Sequence, residues 1–372
     1  MKACTPFRAV IACGGTGGHL FPGLAVAETL HARGHEVVLF VSEKEIDATA
    51  LKVRPEFRSE KLPSVGLPSM VFSPASVRFA RRFWESFSHC RRFYRKFRPS
   101  VVLGMGGFTS TAPVLAARLQ GLPAFVHESN AIPGRANRLA ARFASRVLIG
   151  FEEAEARFAG ANCVVTGTPV RKNLGQPLNQ EEARRIFRLD PEKKTLLVMG
   201  GSQGASGINQ LLFKAAPLLA PSGLQVIHLT GDRDDRLAAA NYQREEIPHY
   251  VSPFHHKMEE AYSAADLAIS RAGASSLSEL SQFSLASILI PYPFATDDHQ
   301  TANAEIYQRA GAAEILTEKG TSPEVLSAMV CNLLADEQRR GRMSAASRRI
   351  PPASAAGNVA DVMEKAVREG AR

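Results

Sequence analysis

The residues able to do chemistry in this sequence cluster just after short apolar runs. His19 closes the glycine-rich stretch Gly14-Gly15-Thr16-Gly17-Gly18, which follows Ala9-Val10-Ile11-Ala12. Glycines let backbone N–H groups crowd around an anion at a helix start, and imidazole titrates near neutral pH. The pattern suits a charged ligand with a proton acceptor beside it; a tight turn with an exposed histidine is the plainer alternative. A second group, His127-Glu128-Ser129-Asn130, follows Ala124-Phe125-Val126. It offers hydroxyl-binding donors and acceptors and a candidate base, as a sugar site needs, or else it is a solvated loop. A third, Arg271-Ala272-Gly273-Ala274-Ser275-Ser276, follows Leu267-Ala268-Ile269-Ser270. Small residues at a helix start expose N–H groups to an anion, and Glu279, about two turns on, suits a ribose diol.

Further loops fit the same scheme. Gly104-Met105-Gly106-Gly107-Phe108-Thr109-Ser110 follows Val101-Val102-Leu103, on the edge of the sheet that carries the first loop. Gly200-Gly201-Ser202-Gln203-Gly204-Ala205 follows Thr195-Leu196-Leu197-Val198-Met199 and repeats the opening strand and loop. Neither glycine loop is a dinucleotide fingerprint or a Walker motif: from Gly15 the final glycine position is Leu20, and no Gly-Lys-Ser/Thr follows. Asp297-Asp298 invites a metal reading, but the pair lacks the spacing of a cation site, and no metal or cofactor is expected.

These loops need strands and helices to hold them. Apolar runs at 9–12, 37–41, 101–103, 124–126 and 147–149, then at 195–199, 225–229, 267–270 and 286–290, alternate with helical patterns. Such alternation implies an α/β protein with parallel sheets wrapped by helices. At 372 residues the chain is long enough for two domains, and its two similar openings argue for two Rossmann-like ones facing across a cleft. The expected division is 1–170, 171–345 and a C-terminal helical segment, 346–372, packing back on the first domain. Ligands of open α/β sheets bind beyond the carboxyl ends of the strands, where these loops stand.

Composition narrows the partners. Hydrophobic residues at 45% and charged ones at 22% describe an ordinary globular protein, and the net charge of +9 favours an anionic partner. Five scattered cysteines without CxxC spacing fit free thiols in a reducing compartment. No apolar run approaches the ~20 residues that span a bilayer, and the start is too short before the first strand for a signal peptide. One segment interleaves aromatics with arginines: Phe79, Arg81, Arg82, Phe83, Trp84 and Phe87, continuing to Arg91 and Arg92. It reads either as a core helix with solvated arginines or as a basic amphipathic surface for anionic lipid. Nucleic acid is not expected, since no binding module is present.

In order along the chain, GGTGGHLFPGLAVA (14–27), GMGGFTS (104–110), HESNAIPG (127–134), GTPVR (167–171), GGSQGA (200–205), RAGASSLSE (271–279) and DDHQTANA (297–304) resemble one bacterial family. It is the family of GT-B glycosyltransferases that carry N-acetylglucosamine from UDP-GlcNAc to lipid I, forming lipid II for peptidoglycan. The resemblance spans about residues 8 to 345. It implies that the second domain holds UDP-GlcNAc. Ser202, Ala274, Ser275 and Ser276 match the nucleotide and diphosphate contacts, and Glu279 matches the ribose-binding acid. Gln300 and Asn130 match positions that hold the donor sugar, and Arg171 a basic residue near it. Thr16, Gly17, Gly18 and His19 would face the acceptor's diphosphate and reacting hydroxyl. The chain departs from the family at Thr168, Ser129 and His255, where Asn, Gln and an aliphatic residue near the uracil are common.

The resemblance implies inverting transfer, which needs a base for the acceptor hydroxyl and positive charge for the leaving diphosphate. His19 is the expected base, with His127 and Glu128 behind it. A lipid-linked acceptor implies work at the cytoplasmic face of the plasma membrane, docked through the Phe79–Phe97 segment, with cell-wall and division proteins as further partners. A UDP-GlcNAc 2-epimerase or another GT-B enzyme is the alternative activity, and a non-catalytic scaffold the alternative class.

Overall fold

Alternating apolar strands and amphipathic helices give two compact units, Met1–Lys172 with Pro352–Arg372, and Asn173–Pro351. The computed structural model describes residues 5–43, 54–63, 74–170, 174–201, 204–350, 352 and 354–370.

The first unit is built on a parallel sheet of β1 (Arg8–Ala12), β2 (Glu36–Ser42), β3 (Arg58–Leu62), β4 (Val101–Gly104), β5 (Ala124–Glu128), β6 (Arg146–Ile149) and β7 (Cys163–Val165). Their order is β3-β2-β1-β4-β5-β6-β7, so the chain reverses direction across the sheet between β1 and β4. Helices cover both faces. On one, α1 (Gly17–Ala32) contributes Leu20, Val26 and Leu30 to the cluster with Ile11, Leu39 and Leu103. On the other lie α2 (Pro74–Phe97), α3 (Phe108–Arg118) and α4 (Arg135–Ala141), whose Phe87, Phe93, Val114 and Ala140 pack on Val10, Phe40 and Val126. Each fully buried aliphatic side chain adds roughly 1.5–3 kcal/mol to this layering.

The second unit runs α5 (Gln180–Ile186), β8 (Thr195–Met199), α6 (Ser206–Leu219), β9 (Gln225–Leu229), α7 (Asp235–Arg244), β10 (His249–Ser252), α8 (Met258–Ala264), β11 (Leu267–Ser270) and α9 (Ala274–Gln282). It continues with β12 (Ser287–Leu289), α10 (His299–Arg309), β13 (Ala313–Ile315), α11 (Pro323–Ala335) and α12 (Glu337–Ser347). The sheet order, β10-β9-β8-β11-β12-β13, again reverses beside its first strand. The chain then ends on the first unit as α13 (Ala355–Gly370). Val359, Ala360 and Met363 of α13 enter the core beside α1. Arg33 pins it from outside, donating to Asp361 at 2.6 Å and Glu364 at 2.9 Å. The buried His35, stacked on Phe7 at 3.8 Å, also meets Glu364.

Candidate active site

In the first unit, three loops meet at the carboxyl ends of β1, β4 and β5. Thr16 is the N-cap of α1, and its Oγ1 lies 3.1 Å from His19 Nδ1. Gly17 and Gly18 form the first turn beside it, where backbone N–H groups lack intrahelical acceptors. The His19 ring lies on the backbone of the second glycine loop. A Cβ at Gly106 would meet His19 Cδ2 and Nε2 at 2.8 Å, and one at Gly107 would meet Nδ1 at 3.3 Å. Both glycines have positive φ, +116° and +70°, so side chains are excluded by strain as well as by space. The loop is fixed from below by Ser110, whose Oγ accepts from Gly106 N at 3.0 Å.

His127 and Glu128 form the floor of this edge. Both are buried at the end of β5. His127 Nε2 lies 2.9 Å from the Gly167 carbonyl, which only accepts, so Nε2 carries the proton and Nδ1 turns to Ser129 Oγ at 3.4 Å. Burial, helped by the neighbouring His19, pushes the His127 imidazole down to about 4. Its own bond to Gly167 opposes that shift. Glu128 accepts from Asn130 N (2.9 Å), Asn130 Nδ2 (3.1 Å), Gly134 N (3.0 Å) and Asn137 Nδ2 (2.8 Å). Burial still raises its carboxyl above the ordinary range, against those four donors. Glu128 therefore fixes the loop that carries Asn130. Two of the three positions expected to depart from the family pattern touch here: Thr168 Oγ1 donates to the Ser129 carbonyl at 3.3 Å.

The second unit presents two helix starts at its own carboxyl edge. The turn before α6 is so tight that a Cβ on Gly204 would lie 2.2 Å from the Thr230 carbonyl, and φ there is +71°. Asn209 of α6 ties the same place together, donating to Thr230 O at 3.0 Å and to Asp234 at 2.7 Å. At the start of α9, Ala274 is buried while Ser275 and Ser276 are half-buried. Glu279 is buried further along the helix and accepts from Tyr262 Oη at 2.8 Å. Gln300 Oε1 accepts from Tyr292 N at 3.0 Å, which leaves the amide nitrogen as its donor end.

A buried arginine joins the loops of this edge. Arg271 donates to the carbonyls of Ile290 (3.1 Å) and Pro291 (3.2 Å), pairs with Glu318, and stands over the Tyr292 ring. Glu318 in turn fills the space beside Gly207 in the first turn of α6. Arg171 and Ser202 lie outside the described residues. The Asp297-Asp298 pair caps α10, where Asp298 accepts from Thr301 Oγ1 at 2.7 Å. Among the described residues no cluster of three or more His, Cys, Asp or Glu could hold a metal ion.

Residues 9–149 match the glycosyltransferase family 28 N-terminal domain and residues 195–363 its C-terminal domain. A curated relative from Geotalea uraniireducens (strain Rf4) is 38% identical over 96% of this chain and 98% of its own length. It is a UDP-N-acetylglucosamine–N-acetylmuramyl-(pentapeptide) pyrophosphoryl-undecaprenol N-acetylglucosamine transferase. Its counterpart of the same name from Geobacter sulfurreducens is 37% identical over 97% of this chain and 99% of its own. The chain belongs to this family of N-acetylglucosamine transferases. The crystal structure of Acinetobacter baumannii MurG, 29% identical, superimposes with a TM-score of 0.79 over 97% of this chain and 100% of that one.

Several residues that brace these two edges carry no local signature in the sequence. Asn137, Tyr262 and Glu318 act on His127, Glu128, Glu279 and Arg271 from other elements, and only the folded chain brings them there. Arg271 had one visible sign, a charge directly after the apolar run of β11. His255 is turned inward, 3.0 Å from Glu260 and tilted on Phe187 at 5.0 Å, so its side chain is already committed.

The aromatic segment divides between core and surface. Phe87 is a correction to the expected patch: it is only 5% exposed and belongs to the core under α2. Phe79 and Phe83 are half-buried, with Phe79 edge-on to Phe108 at 5.5 Å. Trp84, at 65% exposure, and Val77, at 72%, face outward. Arg81 and Arg92 are exposed, Arg82 reaches Glu43, and Arg91 lies over the Phe87 ring.

Proposed function

We propose that this chain transfers N-acetylglucosamine from UDP-GlcNAc to the muramoyl 4-hydroxyl of lipid I, forming lipid II with inversion at the anomeric carbon. The acceptor belongs to the first unit and the donor to the second. One observation carries the division: the His19 imidazole stands at one sheet edge, and the buried acid beyond a small-residue helix start stands at the other. His19 takes the acceptor's proton as O4 bonds to C1 and the bond from C1 to UDP breaks. Thr16, Gly17 and Gly18 face the acceptor's diphosphate. His127, kept neutral by burial, lies behind His19, and Glu128 holds Asn130 toward the donor sugar.

The departing diphosphate takes the bonding pair, and its charge is met by Arg171, Ser202 and the α9 start at Ala274, Ser275 and Ser276. Glu279 holds the ribose and Gln300 the sugar, and no cofactor enters the reaction. Because the acceptor is lipid-linked, the enzyme docks on the cytoplasmic face of the plasma membrane through Trp84, Phe79, Phe83 and the arginines of α2. No helix among the described residues is long and apolar enough to cross a membrane, consistent with peripheral attachment. Cell-wall and division proteins are the expected neighbours there. The test is transfer of radiolabelled N-acetylglucosamine to lipid I with EDTA present. Product that forms only when metal is supplied, or a mannose isomer made without lipid I, overturns the reading.

A further inference from the structure

Glu279 has a partner that the transfer reaction does not itself require. Tyr262, on α8, is 3% exposed and donates its hydroxyl to Glu279 Oε2 at 2.8 Å. The phenol has a single proton and a second acceptor nearby, Met199 Sδ at 3.6 Å. A carboxylate oxygen is the closer and far stronger acceptor, so the proton belongs to Glu279. The ring cannot swing away. It lies against Phe283, the residue that ends α9, with centroids 5.1 Å apart. The acid and its orienter are therefore tied to the same helix from two sides.

A carboxylate tells a vicinal diol from a single hydroxyl by accepting from both hydroxyls in one plane. That requires the carboxylate plane to be fixed, and a terminal carboxylate torsion is otherwise broad. We propose that Tyr262 is a positioning residue that fixes the Glu279 carboxylate and thereby sets the enzyme's preference for a ribose over a deoxyribose nucleotide. The inference rests on the reading of Glu279 as the ribose-binding acid.

Binding of UDP and of 2′-deoxy-UDP to the full-length enzyme, measured by calorimetry, tests it. The parent prefers UDP by roughly tenfold or more, as expected for a hydroxyl bonded to a charged acceptor. Tyr262→Phe removes one oxygen and keeps the packing against Phe283. It should cut that ratio about threefold or more and raise the KM for UDP-GlcNAc, while kcat stays within about twofold. In a Glu279→Gln background, Tyr262→Phe should leave the ratio unchanged. If Glu279→Gln alone keeps the parent's ratio, the ribose reading of Glu279 fails and the inference falls with it. If Glu279→Gln abolishes the ratio but Tyr262→Phe preserves it, the reading stands and the inference is overturned. Equal weakening of both nucleotides by Tyr262→Phe, with a lowered melting temperature, means packing alone and also overturns it.

Discussion

The two sheet edges are wired alike and equipped differently. Each sheet reverses direction beside its first strand, and a glycine loop follows that strand in both, after β1 and after β8. In the first unit the loop leads into His19, seated on Gly106 and Gly107 with the neutral His127 nearby. In the second, polar and charged groups are locked together: Arg271 with Glu318, Glu279 with Tyr262, and Asn209 bridging Thr230 and Asp234. On the proposed reading one scaffold serves two tasks, a proton acceptor on one edge and a rigid mould for anion and hydroxyls on the other. Defects should separate accordingly, with turnover lost at the first edge and donor affinity at the second.

The largest effect should come from the first edge. His19→Ala should lower kcat by about 10²–10⁴-fold, the usual worth of a positioned base, with the KM for UDP-GlcNAc nearly unchanged. Normal turnover by this variant would remove the division of labour at its centre. Next in size is the proposed membrane binding, which that reading assigns to the first unit. Changing Arg81, Arg82 and Arg92 to Glu should lower affinity for anionic vesicles by about 100-fold or more, at roughly 1 kcal/mol per basic residue. Arg91 is left in place because its guanidinium lies over Phe87. Their surface ion pairs add little stability, so circular dichroism should be unaltered. Binding that survives the charge reversal and ignores salt would make α2 an ordinary core helix.

At the second edge, Glu318→Ala strands the buried Arg271 guanidinium beside two carbonyls. The expected cost is roughly 3 kcal/mol of unfolding free energy, toward the low end for a broken buried pair because Glu318 is partly exposed. The KM for UDP-GlcNAc should rise with it. Arg271→Lys should not substitute, since one ammonium cannot reach both carbonyls and the carboxylate as a planar fork does. A drop in kcat at unchanged KM would place Glu318 with the chemistry instead and break the contrast.

The sequence shows these edges unevenly, and the reason is burial. Central strands such as Val101–Gly104 and Leu196–Met199 are buried on both faces and read as apolar runs. The strands that escape such a reading are β3, β7, β10 and β13, the outermost of each sheet. In β3, for example, Arg58, Ser59 and Lys61 are exposed, Glu60 is half-buried and Leu62 alone is buried, so no apolar run marks the strand. Loops after central strands were equally legible, which is why His19, His127 and Glu279 stand out. Partners brought by another element were not. Glu318 lies 47 residues from Arg271 and Tyr262 17 from Glu279, and no spacing rule connects them.

Acid stability offers the subtlest test of the contrast. His127 and His228 are both buried and neutral, with imidazoles pushed down to about 4 and about 3 by desolvation. In the neutral form His228 donates from Nε2 to Asn209 Oδ1 and accepts at Nδ1 from Tyr242 Oη, each at 3.0 Å, so both nitrogens are engaged without a second proton. In the unfolded chain each histidine titrates near its ordinary value of about 6.5. Below that pH the unfolded state binds the extra proton. The stability each contributes is therefore complete above about 6.5 and is lost as pH falls toward the folded value, on the order of 1 kcal/mol per pH unit. In the first unit Glu128 works the other way. Its carboxyl is raised by burial, so the folded state takes up that proton first and acidification relieves an unfavourable charge. For His228 the nearby Asp234 charge opposes the shift only in part. The second unit should accordingly lose hydrogen-exchange protection in α6, β9 and α7 at a higher pH than β4 and β5 lose theirs. Replacing His228 with Gln should flatten that slope between pH 6.5 and 4. Equal slopes in the two units would mean that the buried acid at the first edge carries no compensating charge.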